Sequence, residues 1–375
     1  MNATPAIRTA SPGRIEFIGN HTDYNGGQVL GVSLNLGVEA EATPREDRQL
    51  HFSSDGIAAA FKGSLDELVP QSGELAWANY PLGILKVLLE AGHEVASGCD
   101  LHFRSNLPTG AGLSSSAAIE LATLEAICQL NGLDLSRKEK VLLAQRAENT
   151  FVGVPCGMLD QAVSCFGRED HLVRIDCANT AFETVPLAHG LHFWVFNTNH
   201  KHSLVDSMYS RRHAECRKAL EILRQADPGL QHLAHARIEL LEHLEAGSDI
   251  RRRAEHTVLE NLRVQQVIQA LEAHNLEEVG DLLFASHASS RDLFENSIPE
   301  LDTLVELLQG LRSHGVIGAR LTGGGFGGAV MALTTDRFSS PDAGNVLQLY
   351  RHRHPGSEAP TCLHVRTGNG TRRLD

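Results

Sequence analysis

Positive charge is in short supply in this chain. Lysine and arginine number 33 against 46 aspartates and glutamates, for a formal net charge of -13. Proteins that hold nucleic acid or an anionic membrane surface draw their affinity from Lys and Arg, so this balance argues against both. An anionic ligand would need a local basic pocket. Cysteine is also scarce: the seven are scattered, odd in number and without a C-x-x-C pair. That excludes a disulfide framework and reads as reduced thiols in a cytoplasmic protein. The twenty His show no H-E-x-x-H or similar spacing. His213, His232, His235 and His243 share no face of the helical region and read as solvated polar residues rather than a zinc site. No apolar run approaches the roughly 18 residues of a membrane span. The stretch MNATPAIRTASPG has no basic segment followed by an apolar one, so no secretory signal is expected. No Gly-Lys-Ser/Thr occurs, which excludes a Walker loop.

What is present is a globular composition, 42% hydrophobic over 375 residues, enough for two domains and a sizeable core. Alternating patterns predict strands at Ile15–Ile18 and Val29–Val38 around a polar loop, and again near 49–61, 100–104, 173–176 and 192–197. Helical periodicity covers 77–90, 117–130 and 137–151, then runs almost unbroken from about 204 to 311, interrupted at Asp227-Pro228-Gly229 and Ser248-Asp249. Strand patterns return at 320–322, 330–333 and 361–366. The order β-rich, helical, β-rich implies an α+β protein with two interlocked domains.

Certain stretches carry chemistry. Leu107–Ala118, LPTGAGLSSSAA, is a glycine loop opening into a helix N-terminus, where unpaired N–H groups and the dipole favour an anion. Its hydroxyls can bond a phosphate or reach a metal ion. Gly13–Gly27, GRIEFIGNHTDYNGG, concentrates polar side chains on a tight turn, suited to a ligand with many hydroxyls. Gly153–Gln161, GVPCGMLDQ, offers Asp160 as a buried carboxylate which, beside an arginine, can act as a base or hold a hydroxyl. Ala319–Gly328, ARLTGGGFGG, is a second glycine loop that could line a phosphate or the hydroxylated ligand. Each alone is also compatible with an ordinary surface turn.

Together, in this order and spacing, they resemble the GHMP kinase superfamily and within it the galactokinase branch. WANY at Trp77–Tyr80, SMYSRR at Ser207–Arg212 and PELD at Pro299–Asp302 extend the resemblance along the chain. It implies a two-domain GHMP kinase fold with the active site in the cleft, and places the domains at about 1–185 and 186–375. It also implies ATP-dependent phosphorylation of the C1 hydroxyl of galactose, giving α-D-galactose 1-phosphate and ADP. Carried over by position, Asp160 is the catalytic carboxylate and Arg14 the arginine that keeps it ionised. Asn20, His21, Asp23, Gly157 and Tyr209 meet the sugar. Gly110, Ala111, Gly112, Leu113, Ser114, Ser115 and Ser116 cradle the triphosphate, Trp77 lies near adenine, and Ser116 and Glu148 hold Mg²⁺. Partners reduce to the sugar and ATP, in a monomer or homodimer.

The departures bear on specificity. Where the branch usually has G-E-H-T-D-Y, this chain has Asn20, and where it usually has Asn the chain has Glu16. Asn20 removes a charge near the sugar's C6 and so opens a second expectation, a C6-modified galactose such as galacturonate. A catalytically silent sugar sensor is a third expectation, disfavoured by the intact serine run.

Overall fold

The computed structural model describes residues 6–108, 112–154, 156–200 and 205–374. Strand β1 (Ile7–Ile18) pairs antiparallel with β2 (Gln28–Pro44), Ile15 opposite Val32. The polar loop joins them, closed by Thr22 N–H to Gly19 O and Gly27 N–H to Thr22 O. Alternation along β1 sets the layers. Ile15 and Phe17 are fully buried in the core with Leu121 and Leu124, while Arg14 and Glu16 face the other way into a cavity.

Hairpin β3 (Gln49–Ser54) and β4 (Ile57–Ser64) leads through α1 (Asn79–Glu90) to β5 (Cys99–Ser105), which pairs with β2 and, in parallel, with β3. Helix α2 (Ser115–Asn131) shows no amphipathic stripe because it is enclosed, Ala117, Leu121, Ala122, Leu124 and Ala126 being fully buried against β1 and β2. Helix α3 (Arg137–Ala147) starts on a Ser136/Glu139 capping box. The expected helix to Phe151 changes at Glu148 into a π turn, Glu148–Val152, before α4 (Leu159–Phe166). Strand β6 (His171–Asp176) pairs with the start of β2, and β7 (Ala181–Pro186), unforeseen in the sequence, pairs with β6.

Strand β8 (Leu191–Asn197) begins a second sheet. Helices α5 (Val205–Ala226), α6 (Asp249–Glu272), α7 (Leu276–Ser289) and α8 (Pro299–Gln309) account for the helical middle. It is less continuous than expected: between the two foreseen breaks, 227–248 holds only short 3-10 turns, further breaks fall at 273–275 and 295–298, and the Ser248 side chain caps α6. β9 (Val316–Thr322), β10 (Ala329–Thr335), a helix α9 (Ser340–Arg353) and β11 (Thr361–Val365) follow, and the second sheet runs β11-β8-β10-β9. Helix α9 has only Ala343, Val346 and Tyr350 buried, too narrow a stripe for periodicity to reveal. The last strand, β12 (Arg372–Leu374), crosses back to β1. The connection from β7 to β8 thus divides the sheets near residue 186, but the chain's final strand belongs with the first sheet.

Candidate active site

The loops converge because β1 stitches them. The pairing of β1 with β2 shifts register between Pro12 and Arg14 and again between Glu16 and Ile18, irregularities of the kind that re-aim side chains beside sites. Arg14 N–H donates to Leu113 O at 3.1 Å and Nη1 to Gly112 O at 2.8 Å, fixing the serine loop. Gly13 permits this approach, since a Cβ there would meet Leu113 O at 2.6 Å. The other guanidinium edge grips Asp160: Nε to Oδ1 and Nη2 to Oδ2, both 2.7 Å. Ser114, left-handed at φ 56° just before α2, donates its hydroxyl to Asp160 Oδ2 at 2.5 Å. Asp160 itself lies in the first turn of α4, where the helix dipole favours an anion.

Behind this pair is a group of acids. Glu148, on the π turn, is buried and accepts from Gln161 Nε2 at 2.6 Å and from Ser116. Burial, with Asp160 adding repulsion, pushes its carboxyl above the usual range. Glu120 is raised in the same way, by burial and then by Glu148, and its Oε1 has no partner among the described residues. Tyr80 is raised by burial and by these same acids. Trp77 stands further out, its Nε1 bonded to Ala59 O at 3.1 Å and its ring edge-on to Phe103. Ser115 is exposed, and Gly110 and Ala111 lie outside the described residues.

Arg14, Asn20, His21, Asp23, Gly157, Asp160 and Tyr209, expected together, all line one cavity of about 210 Å³, along with Glu16, Gly323 and Gly324. This is below the roughly 300 Å³ at which drug-sized sites begin, so it suits a small polar ligand. Elements of both sheets contribute: Arg14 and Glu16 from β1, and Gly323 and Gly324 from the loop that follows β9. Asp23 is raised to about 6, chiefly by burial. Gly157 makes room for it, as a Cβ there would collide with Asp23 Oδ2. His21, at φ 59°, has both ring nitrogens engaged, Nε2 with Gly324 O and Nδ1 with the Tyr24 hydroxyl, each at 3.0 Å. Nε2 must donate to a carbonyl, so Nδ1 accepts, and the ring is neutral. Burial lowers it to about 3. His21 therefore locks the loop, stacked on Phe294, with Tyr209 5.2 Å away. The second glycine loop serves this pocket through its carbonyls, Gly323 O and Gly324 O.

The expected loss of charge at position 20 is offset. Glu16 lines the same cavity and pairs with fully buried Arg320 at 3.0 Å. From behind, Glu260 Oε1 accepts from Gly19 N–H at 3.2 Å, Asn20 N–H at 3.3 Å and Ser286, while His256 Nε2 donates to Asn20 O at 3.1 Å. Gln161 and Arg320 sit within stretches noted in the sequence but had no role there. Glu260, His256 and Asn296 had no signal, being polar residues of a helical region rich in such residues.

Residues 79–168 match the GHMP kinases N terminal domain, 267–350 the GHMP kinases C terminal family, and 1–44 the galactokinase galactose-binding signature. The chain is 38% identical over 349 residues to a galactokinase of Clostridium perfringens, covering 91% of this chain and 89% of that protein. It is 40% identical over 332 residues to one of Roseiflexus sp., covering 88% and 83%. The crystal structure of Lactococcus lactis galactokinase complexed with galactose superposes with a TM-score of 0.91 at 36% identity, covering 98% of this chain and 95% of that one. Mevalonate kinase, 18% identical with a TM-score of 0.66, shares the fold. By its sequence matches along nearly the whole chain, this protein belongs to the galactokinase family of the GHMP kinases.

Proposed function

We propose that this chain transfers the terminal phosphoryl group of ATP to the C1 hydroxyl of galactose, giving α-D-galactose 1-phosphate and ADP. The observation that carries the reading is the Arg14–Asp160 pair, which bridges a serine-rich helix N-terminus and a hydroxyl-binding cavity. A carboxylate has about four acceptor positions. Arg14 and Ser114 occupy three on Asp160, and the remaining one can receive the C1 hydroxyl. Phosphoryl transfer through a loose transition state asks for an aligned oxygen and offset charge more than for a strong base. Asp160 aligns the hydroxyl, and Arg14 lies where negative charge gathers. The N–H groups of Gly112–Ser116 receive the phosphates. Asp23 accepts from sugar hydroxyls, and Tyr209 offers a ring and a hydroxyl.

The donor set fits Mg²⁺. Glu148 and Ser116 are hard oxygen ligands in contact, and the crowding of Glu120, Glu148 and Asp160 is the kind a cation relieves. Among the described residues no cluster of three or more His, Cys, Asp and Glu can hold a metal alone, so phosphate oxygens would complete the shell. When bound, the ion supplies charge neutralisation at the phosphates. Among the described residues no helix is long and apolar enough to cross a membrane. Glu16 speaks against a C6 carboxylate as the preferred substrate, and the intact Arg14, Asp160 and serine run speak against a silent sensor.

The test is ADP release with ATP, Mg²⁺ and galactose, with the product identified as the 1-phosphate. Absence of turnover with galactose overturns the assignment.

A further inference from the structure

Asn20 occupies the position expected to meet the sugar, yet its amide has no donor left. Nδ2 donates to Glu16 Oε1 at 2.9 Å and to Gly323 O at 2.8 Å, and Oδ1 accepts from Asn296 Nδ2 at 2.8 Å. The acid beside it is differently placed. Glu16 receives both Asn20 and Arg320 on the single oxygen Oε1. Among the described residues no hydrogen bond falls on Oε2. Glu16 is only 5% exposed and lines the cavity, so Oε2 is an acceptor that opens onto the cavity. Arg14 and Glu16 project from one face of β1, about 7 Å apart at the usual strand rise. The reacting hydroxyl belongs beside Asp160, which Arg14 holds. A group of the same ring that meets Glu16 is therefore remote from C1.

We propose that Glu16 is a specificity-determining residue: its carboxylate accepts a hydrogen bond from a sugar hydroxyl remote from C1, and Asn20 and Arg320 position it. The inference rests on the sugar 1-kinase reading. It names the substrate class as neutral hexoses with that hydroxyl free. A substrate lacking it closes the cavity over an acceptor with no donor, and a carboxylate in its place meets like charge.

The test is kcat/KM for galactose and its 3-, 4- and 6-deoxy analogues in wild type, E16Q and E16D. Wild type should disfavour one analogue at least tenfold, and E16Q should shrink that ratio at least fivefold, with KM for galactose moving more than kcat. E16D keeps the charge facing Arg320, which protects folding if E16Q is unstable. It withdraws the oxygen by one methylene and should shrink the same ratio. A wild type indifferent to all three analogues, or unchanged ratios in the folded variants, overturns the proposal. Absent wild-type turnover with galactose is a separate result, which sinks the kinase reading itself and this inference with it.

Discussion

Strand β1 supplies one partner to each of two ion pairs, two residues apart and opposite in sense. Arg14 gives the cation to Asp160, and Glu16 gives the anion to Arg320. The first pair is partly open, with side-chain exposures of 10% and 25%; the second is shut, at 0% and 6%. The open pair keeps a carboxylate edge available to a reacting group. The closed pair is a fixed wall: Arg320 has Nε and Nη2 without partners among the described residues, and its Nη1 is held by Glu16 Oε1 at 3.0 Å and Phe17 O at 3.3 Å. Breaking a buried pair of this kind costs about 3–5 kcal/mol, against about 0–1 for a surface pair. The difference teaches a division of labour: damage at the first pair should fall on kcat, damage around the second on KM or on stability.

The sharpest break is Asp160→Ala. Turnover should fall by at least about 10³-fold while nucleotide binding persists, read by ADP release and nucleotide titration. Near-wild-type rates would remove Asp160 from the chemistry.

Glu260→Gln probes the frame behind the second pair. Burial works to raise the Glu260 carboxyl, but Arg263, Arg320 and His256 outweigh it and hold it at about 2, below its ordinary 4.5. A lowered carboxyl contributes stability that is complete above pH 4.5 and lost as pH falls toward about 2. The variant should lose roughly 1–3 kcal/mol at neutral pH by chemical denaturation, and the gap from wild type should narrow below pH 4.5. A gap independent of pH would show that the Glu260 charge is not the stabilising feature.

Gly157→Ala drives a methyl into the Asp23 carboxylate. The KM for galactose should rise about 10- to 100-fold, with kcat at saturating sugar moving only a few-fold. A fall confined to kcat would remove Asp23 from sugar binding.

The smallest effect is in pH. Asp23, raised to about 6 by burial, accepts more strongly from sugar hydroxyls when ionised, because hydrogen bonds to a charged acceptor are the stronger ones. The KM for galactose should be flat above that value and climb up to about tenfold per pH unit below it. A profile flat from pH 7 to 5 would show that the charge on Asp23 is not needed for sugar binding.

Much of this was legible in the chain. Glycine-rich loops and the polar turn are local signals, because a left-handed Ser114 or a crowded Gly13 constrains residue type at that position alone. Helix α9 and strands β7 and β12 were not legible, because a narrow apolar stripe or a short edge strand leaves little periodicity. Asn20 reads in isolation as a lost charge; in the structure its amide is hydrogen-bonded to Glu16, an acid lining the same cavity.

The amino-acid sequence by itself determined the loops and their order, since each is a short local motif, and through the family resemblance it pointed to Arg14 and Asp160, which the structure pairs. Tertiary structure alone decided what surrounds the cavity. Glu16 meets Arg320 across 304 positions, and Gly19 meets Glu260 across 241. Contacts at such separation leave no periodic trace in the chain, because they are set by the packing of whole sheets and helices rather than by neighbouring residues.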